Sequence, residues 1–294
     1  MMTYHARVFW GAYMSATGNH GKDIVFIGAG NMATSLISGL CQAGHDPAHI
    51  HAVDPSAEQR QALVQQYPVQ AHADADDAAV RAAGTWVLAV KPQIMAAVAR
   101  DLGARLGEHK PLIISIAAGV PLAALRQWLG HDLPLVRCMP NTPALVGAGA
   151  TGLYADASVA SAQRQIAEDI LATASTTVWV DAEPLLDAVT ATSGSGPAYY
   201  FAFMEAMQAG AEALGLDADT ARTLVLQTAF GAARMALESG DDPATLRRKV
   251  TSPGGTTEQA LNAFADGDLQ QLVQRAMQAA AARADSLAQA MQKE

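Results

Sequence analysis

An apolar run that starts at Asp23 passes directly into Gly28-Ala29-Gly30-Asn31-Met32-Ala33, and a helical pattern over 32–43 follows at once. No other feature of the chain restricts its fold so strongly. In a Gly-x-Gly-x-x-Ala turn the first glycine supplies the tight turn and the second lets backbone approach a pyrophosphate. The small last residue lets the helix pack closely on the strand. A helix that starts there also points free N–H groups and its positive end at the phosphates. The motif by itself is common. It gains force here because it forms the first strand–turn–helix of a longer alternation.

That alternation runs from Asp23 to about Asp181. Strands are predicted over 23–28, 50–54, 85–90, 112–116, 133–138, 151–154 and 177–180, and helices over 32–43, 57–66, 94–106, 122–129 and 160–174. Strands separated by helices imply parallel crossovers and a Rossmann-like, doubly wound α/β sheet. After Asp181 the strand signals stop. Helices are predicted over 185–192, 198–214, 218–237, 243–250, 257–265 and 269–291, with breaks at Gly215, Gly240, Ser252–Gly255 and Gly267. The chain of 294 residues therefore reads as two domains, 22–181 binding a dinucleotide and 182–294 all-helical. Residues 1–21 lack the basic start and apolar middle of a signal peptide and read as a poorly ordered leader, which puts the translation start in doubt.

The residues leave the choice of dinucleotide open. Asp54 ends the second strand, where an acid grips the adenine-ribose hydroxyls and disfavours a 2'-phosphate. Ser56 and Arg60 follow, both able to meet a phosphate. The alternative for Asp54-Pro55 is a plain strand stop and turn. Lys91 and Arg137 lie beside the expected cleft. Each is either a cation facing the cofactor phosphates or an ordinary surface or packing cation.

All eight histidines lie at or before His131, and the helical domain also lacks cysteine. Reduction of a ketone needs a proton donor for the new alkoxide, whereas an imine can arrive already protonated and needs only orientation and dry surroundings. This favours an imine, although His131 stays open as a donor. No cluster has metal-ligand spacing, so no metal is expected. Cys41 and Cys138 are expected as buried thiols. Two segments hold most of the helical domain's polar features: Ser193-Gly194-Ser195-Gly196-Pro197-Ala198-Tyr199, and Val250 to Glu258 with Ser252-Pro253-Gly254-Gly255-Thr256-Thr257 at its centre. Either suits a carboxylate at a helix N-terminus, or simple capping.

Together with Ala89-Val90-Lys91-Pro92-Gln93, Ser115-Ile116-Ala117-Ala118-Gly119 and Arg137-Cys138-Met139-Pro140-Asn141-Thr142-Pro143-Ala144, these segments resemble the pyrroline-5-carboxylate reductases in order and spacing, from residue 23 to the C-terminus. The resemblance implies reduction of 1-pyrroline-5-carboxylate to L-proline, the last step of proline biosynthesis, with NADP(H) favoured and NAD(H) possible. It implies that Gly28, Ala29, Gly30, Asn31, Met32, Ala33, Asp54, Ser56, Val90, Lys91, Pro92, Ala117, Ala118, Gly119 and Asn141 line the cofactor. The substrate carboxylate would take Ser252 and the amides of Gly254, Gly255 and Thr256, and the Thr257 hydroxyl would meet the ring nitrogen. A homodimer, or an assembly of dimers, would then share each site between subunits.

Two rivals fit part of the pattern. A hydroxy-acid or ketopantoate-type reductase shares the first domain but places a lysine on a long helix of the second, and 198–214 has none. A dinucleotide sensor needs the fingerprint but not the Ser252–Thr257 segment. A net charge of -9 without basic runs argues against nucleic acid and anionic membranes, and no apolar run reaches membrane-spanning length, so the cytoplasm is expected.

Overall fold

The structure is a computed structural model and describes residues 23–292. The leader expected over 1–21 lies outside the described residues. Among these, one sheet forms from β1 (Ile24–Ile27), β2 (Ile50–Val53), β3 (Gln70–His72), β4 (Thr85–Leu88), β5 (Leu112–Ser115), β6 (Leu135–Met139), β7 (Gly149–Ala155) and β8 (Ser175–Trp179). Its order is β3-β2-β1-β4-β5-β6-β7-β8.

The pairs from β3 through β6 are parallel, as the helix-separated strands require. One pairing departs from the predicted parallel pattern: β7 runs antiparallel to β6. Only residues 140–148 join them, including a 3₁₀ turn at Thr142–Val146. That link is too short for a parallel return, which takes a dozen or more residues. β3 was not predicted, because Gln70-Ala71-His72 carries no apolar run. It pairs with β2 at the sheet edge and needs little burial.

The first six helices are α1 (Asn31–Ala43), α2 (Ala57–Gln66), α3 (Ala78–Ala82), α4 (Pro92–Leu106), α5 (Leu122–Leu129) and α6 (Ser161–Ala172). They make the central strands apolar on both faces. Ile24 and Phe26 of β1 pack with Leu36, Ile37 and Leu40 of α1 and with Ile170 and Leu171 of α6. The alternate residues Val25 and Ile27 pack with Met95 and Leu102 of α4 and Leu125 and Trp128 of α5. Cys138 is buried among the first group and Cys41 is half-buried against it.

Helix α7 (Leu185–Val189) continues into a π turn over Thr190–Gly194. The sequence predicts a helix over 185–192 and a polar loop from Ser193, and the π turn spans that junction. The hydroxyls instead fold back onto the helix: Thr190 Oγ1 donates to Leu186 O at 2.7 Å and Ser193 Oγ to Val189 O at 3.0 Å.

By compactness the described residues form two units, one of 23–195 together with 280–292, the other Gly196–Ala279. The second holds α8 (Gly196–Ala213), α9 (Ala218–Glu238), α10 (Pro243–Lys249), α11 (Thr256–Asp266) and the start of α12 (Leu269–Met291). The end of α12 belongs to the first unit, where Met291 packs against the α4–α5 layer.

Candidate active site

The strand pairing itself assembles one edge of the sheet unit. Ile27 pairs with Val53 and Leu88, Leu88 with Ser115, and Ser115 with Arg137. The segments that leave these parallel strands therefore emerge side by side: Gly28–Ala33, Asp54–Ser56, Ala89–Pro92, Ile116–Gly119 and Pro140–Asn141. The chain turns in opposite directions from β1 and β4, so the edge has its switch point between them, where open α/β sheets bind ligands.

At that point Gly28 has φ +101°, and a Cβ there would lie 2.9 Å from Ala89 O. Only glycine fits. Gly30 is exposed with open space where a Cβ would stand, and it leads into α1, whose N-terminus has no side-chain cap. Ala33 is buried against β1. The cradle, the uncapped helix start and the small packing residue fit a dinucleotide pyrophosphate.

Asp54 is held differently from a free ribose ligand. Its two carboxylate oxygens accept the N–H groups of Ala29 and Ser56, each at 2.9 Å. Arg60 donates to the Asp54 carbonyl at 2.7 Å, and Ser56 caps α2 by accepting from Gln59 N–H at 3.3 Å. Asp54 thus braces the fingerprint turn. Lys91 is exposed and precedes α4 without capping it, Val90 is half-buried, and Pro92 opens the helix. Ala117 is buried with Ala118 exposed beside it, and Gly119 has φ +73° with the Leu287 side chain 3.4 Å from where its Cβ would stand.

Asn141 is buried, and its amide is engaged at both ends. Nδ2 donates to Ser193 O and Oδ1 accepts from Ala150 N–H, both at 2.9 Å. His131 lies in the α5–β6 connection, on the opposite edge of the sheet, where its Nε2 meets Gly103 O at 2.9 Å. It stands away from the cofactor segments. Among the described residues, no group of three or more His, Cys, Asp or Glu is placed to hold a metal ion.

The sequence reading missed Glu183. One of its oxygens accepts both the Leu122 N–H at 2.8 Å and the Arg137 guanidinium at 2.9 Å. Arg137 is buried on β6, so this is a packing pair. One helical turn on, Asp187 carries a buried oxygen without a partner; burial raises its pKa, against the pull of Arg137. Glu183 gave no signal in sequence because its partners are 61 and 46 residues away.

In the helical unit, Ser252-Pro253-Gly254-Gly255 forms a tight turn closed by Gly255 N–H on Ser252 O at 3.0 Å. Gly254 has φ +71°, which gives proline and glycine their standard type II places. Gly255 then begins α11, uncapped by any side chain. Glu258 reaches back to accept the Gly254 N–H at 2.8 Å, so that amide is taken, a partner the sequence reading did not foresee. Among the described residues the hydroxyls of Ser252 and Thr257 have no hydrogen-bond partner, and both residues are exposed, as are Gly254 and Thr256.

Residues 183–287 match the family described as pyrroline-5-carboxylate reductase dimerisation, and residues 23–119 match one described as NADP oxidoreductase coenzyme F420-dependent. A pyrroline-5-carboxylate reductase of Pseudomonas aeruginosa is 50% identical over 266 residues, covering 90% of this chain and 97% of that one. The chain belongs to the pyrroline-5-carboxylate reductase family. Solved structures agree. The enzyme from Coxiella burnetii superposes with a TM-score of 0.87 at 43% identity, over 92% of this chain and 99% of that one. The Plasmodium falciparum enzyme with NADP bound gives 0.79 at 27% identity, over 92% and 100%. Within this family the fold is shared along nearly the whole chain, sheet unit and helical unit alike.

Proposed function

We propose that this chain reduces 1-pyrroline-5-carboxylate to L-proline in the cytoplasm, with NADP(H) as the favoured cofactor and NAD(H) accepted. The observation that carries the reading is that one member of this family carries both the Gly28–Ala33 cradle and the Ser252–Thr257 turn. The bound cofactor supplies a hydride to the imine carbon. The C=N electron pair then moves to a nitrogen already carrying its proton, so no enzymic acid is required. The chain's own part is to hold the ring. The Ser252 hydroxyl and the amides of Gly255 and Thr256 face the substrate carboxylate at the positive end of α11. The Gly254 amide joins them when Glu258 lets it go. The Thr257 hydroxyl accepts from the ring N–H.

The test mixes the protein with pyrroline-5-carboxylate and each reduced cofactor in turn, following the nicotinamide absorbance and the proline formed. Turnover with proline as product, faster with NADPH, is expected. Faster consumption of cofactor with a 2-ketoacid would overturn the reading.

The assembly is part of the same proposal: a dimer, or a set of dimers, with sites shared between copies. Helix α8 spans 18 residues and buries only Gly196 within the single chain. Tyr200, Phe201 and Phe203 on α8 and Leu224 and Phe230 on α9 are exposed. Apolar area on this scale needs a second surface, and a symmetric pair covers it with one self-complementary contact. Sedimentation at low micromolar concentration should therefore find a dimer or larger. A fully active species of 30.6 kDa would refute it.

A further inference from the structure

We propose that Glu183 is a positioning residue for the cofactor, acting as a brace between two separate cofactor-lining segments. The inference rests on the reading of 117–119 and Asn141 as cofactor-lining residues. Helix α5 starts at Leu122, three residues beyond Gly119, behind Pro121, which has no side-chain group to cap it. The first N–H groups of a helix lack partners within it. The one on Leu122 finds its acceptor in Glu183, from 61 residues away. Arg137 precedes Asn141 by four residues on β6, and the same Glu183 oxygen holds its guanidinium. A single carboxylate oxygen thus ties the exit of the 117–119 segment to the strand that delivers Asn141.

The surrounding charges explain why the brace is an acid. The Arg137 side chain is 6% exposed and needs a counter-charge. Asp187 and Asp285 stand close enough to feel the same charge cluster, but the unpartnered Asp187 oxygen bonds neither segment. Only Glu183 makes both bonds. Asp187 nevertheless leaves Arg137 a neighbouring carboxylate if Glu183 loses its charge.

The experiment compares Glu183→Ala and Glu183→Gln with the unchanged protein. NADPH affinity is read directly by nicotinamide fluorescence, and both Michaelis constants are measured by turnover. Glu183→Ala should weaken NADPH binding about tenfold, because the Leu122 N–H and Arg137 both lose their acceptor. The Michaelis constant for pyrroline-5-carboxylate at saturating NADPH should stay within about twofold of the original, since Ser252–Thr257 is untouched. Glu183→Gln keeps an oxygen for Leu122 and should restore NADPH affinity to within about threefold. If Glu183→Ala does not fold, Glu183→Asp replaces it, keeping the charge but withdrawing the oxygen by one methylene, and should show the same tenfold loss. Unchanged NADPH affinity in the alanine or aspartate variant overturns the brace, as does an equal loss in the glutamine variant. Failure of the unchanged protein to bind NADPH or to form proline would instead overturn the functional reading itself.

Discussion

Gly28→Ala should abolish tight cofactor binding while leaving the sheet folded. The residue has φ +101°, and a methyl there would sit 2.9 Å from Ala89 O and 3.1 Å from a Val90 methyl. The Ala89 oxygen is backbone and cannot swing aside as a side chain could. Ala89 N–H is bonded to Ile27 O at 2.8 Å, and Gly28 N–H to Val53 O at 2.7 Å, so the turn is pinned from both sides. Strained backbone of this kind costs about 1–3 kcal/mol. The turn can relax only by moving the amides that face the pyrophosphate, so the loss falls on binding. At about 1.4 kcal/mol per tenfold, the upper figure corresponds to roughly a hundredfold weaker NADPH affinity. The melting temperature should fall by about 2–4 °C per kcal/mol of strain. Nicotinamide fluorescence titration and a thermal melt decide it, and affinity equal to that of the unchanged protein would remove Gly28 from the cofactor cradle.

Thr257→Ala should act on the substrate and not on the cofactor. It should lower turnover, or raise the Michaelis constant for pyrroline-5-carboxylate, by roughly tenfold to a hundredfold, the range for a hydrogen bond to a charged group of about 1.5–3 kcal/mol. NADPH affinity should not change. The variant should also fold normally, because the Thr257 hydroxyl has no partner within the described residues and the α11 start is held by Glu258 and Gly255 rather than by Thr257. Steady-state kinetics together with NADPH titration separate the two effects. If both kinetic constants are unchanged, Thr257 does not touch the substrate.

The two variants draw on the parts of the chain that sequence makes legible, and for one reason: both are local. Gly28 and Ser252–Thr257 take their shapes from their immediate neighbours, a strand running into a helix and a proline–glycine turn running into another helix. Most strands and helices were readable on the same footing. Features that depend on distant partners were not. β3 forms because β2 offers an edge, and its own three residues carry no signal. The antiparallel turn of β7 follows from a short link, which makes sense only once β6 and β7 are known to pair. Asn141 and Asp54 were read as facing the cofactor, but their hydrogen bonds to Ser193, Ala150, Ala29 and Ser56 show that they also carry local architecture. Glu183 was invisible for the same reason, since its two bonds each cross more than forty residues.

The end of α12 has a bearing on how the chain is made. Ala284 is buried, Met291 packs on the α4–α5 layer, and Leu287 stands over Gly119, all in the unit that otherwise ends at Ser195. On the ribosome the sheet can pair its strands early, yet its Gly119 corner stays uncovered until the residues beyond Ala280 emerge. A nascent chain that has completed every strand therefore still lacks the side chains that pack over Gly119 and the α4–α5 layer. The long sequence separation of that last contact makes it a late closing step in folding and refolding alike.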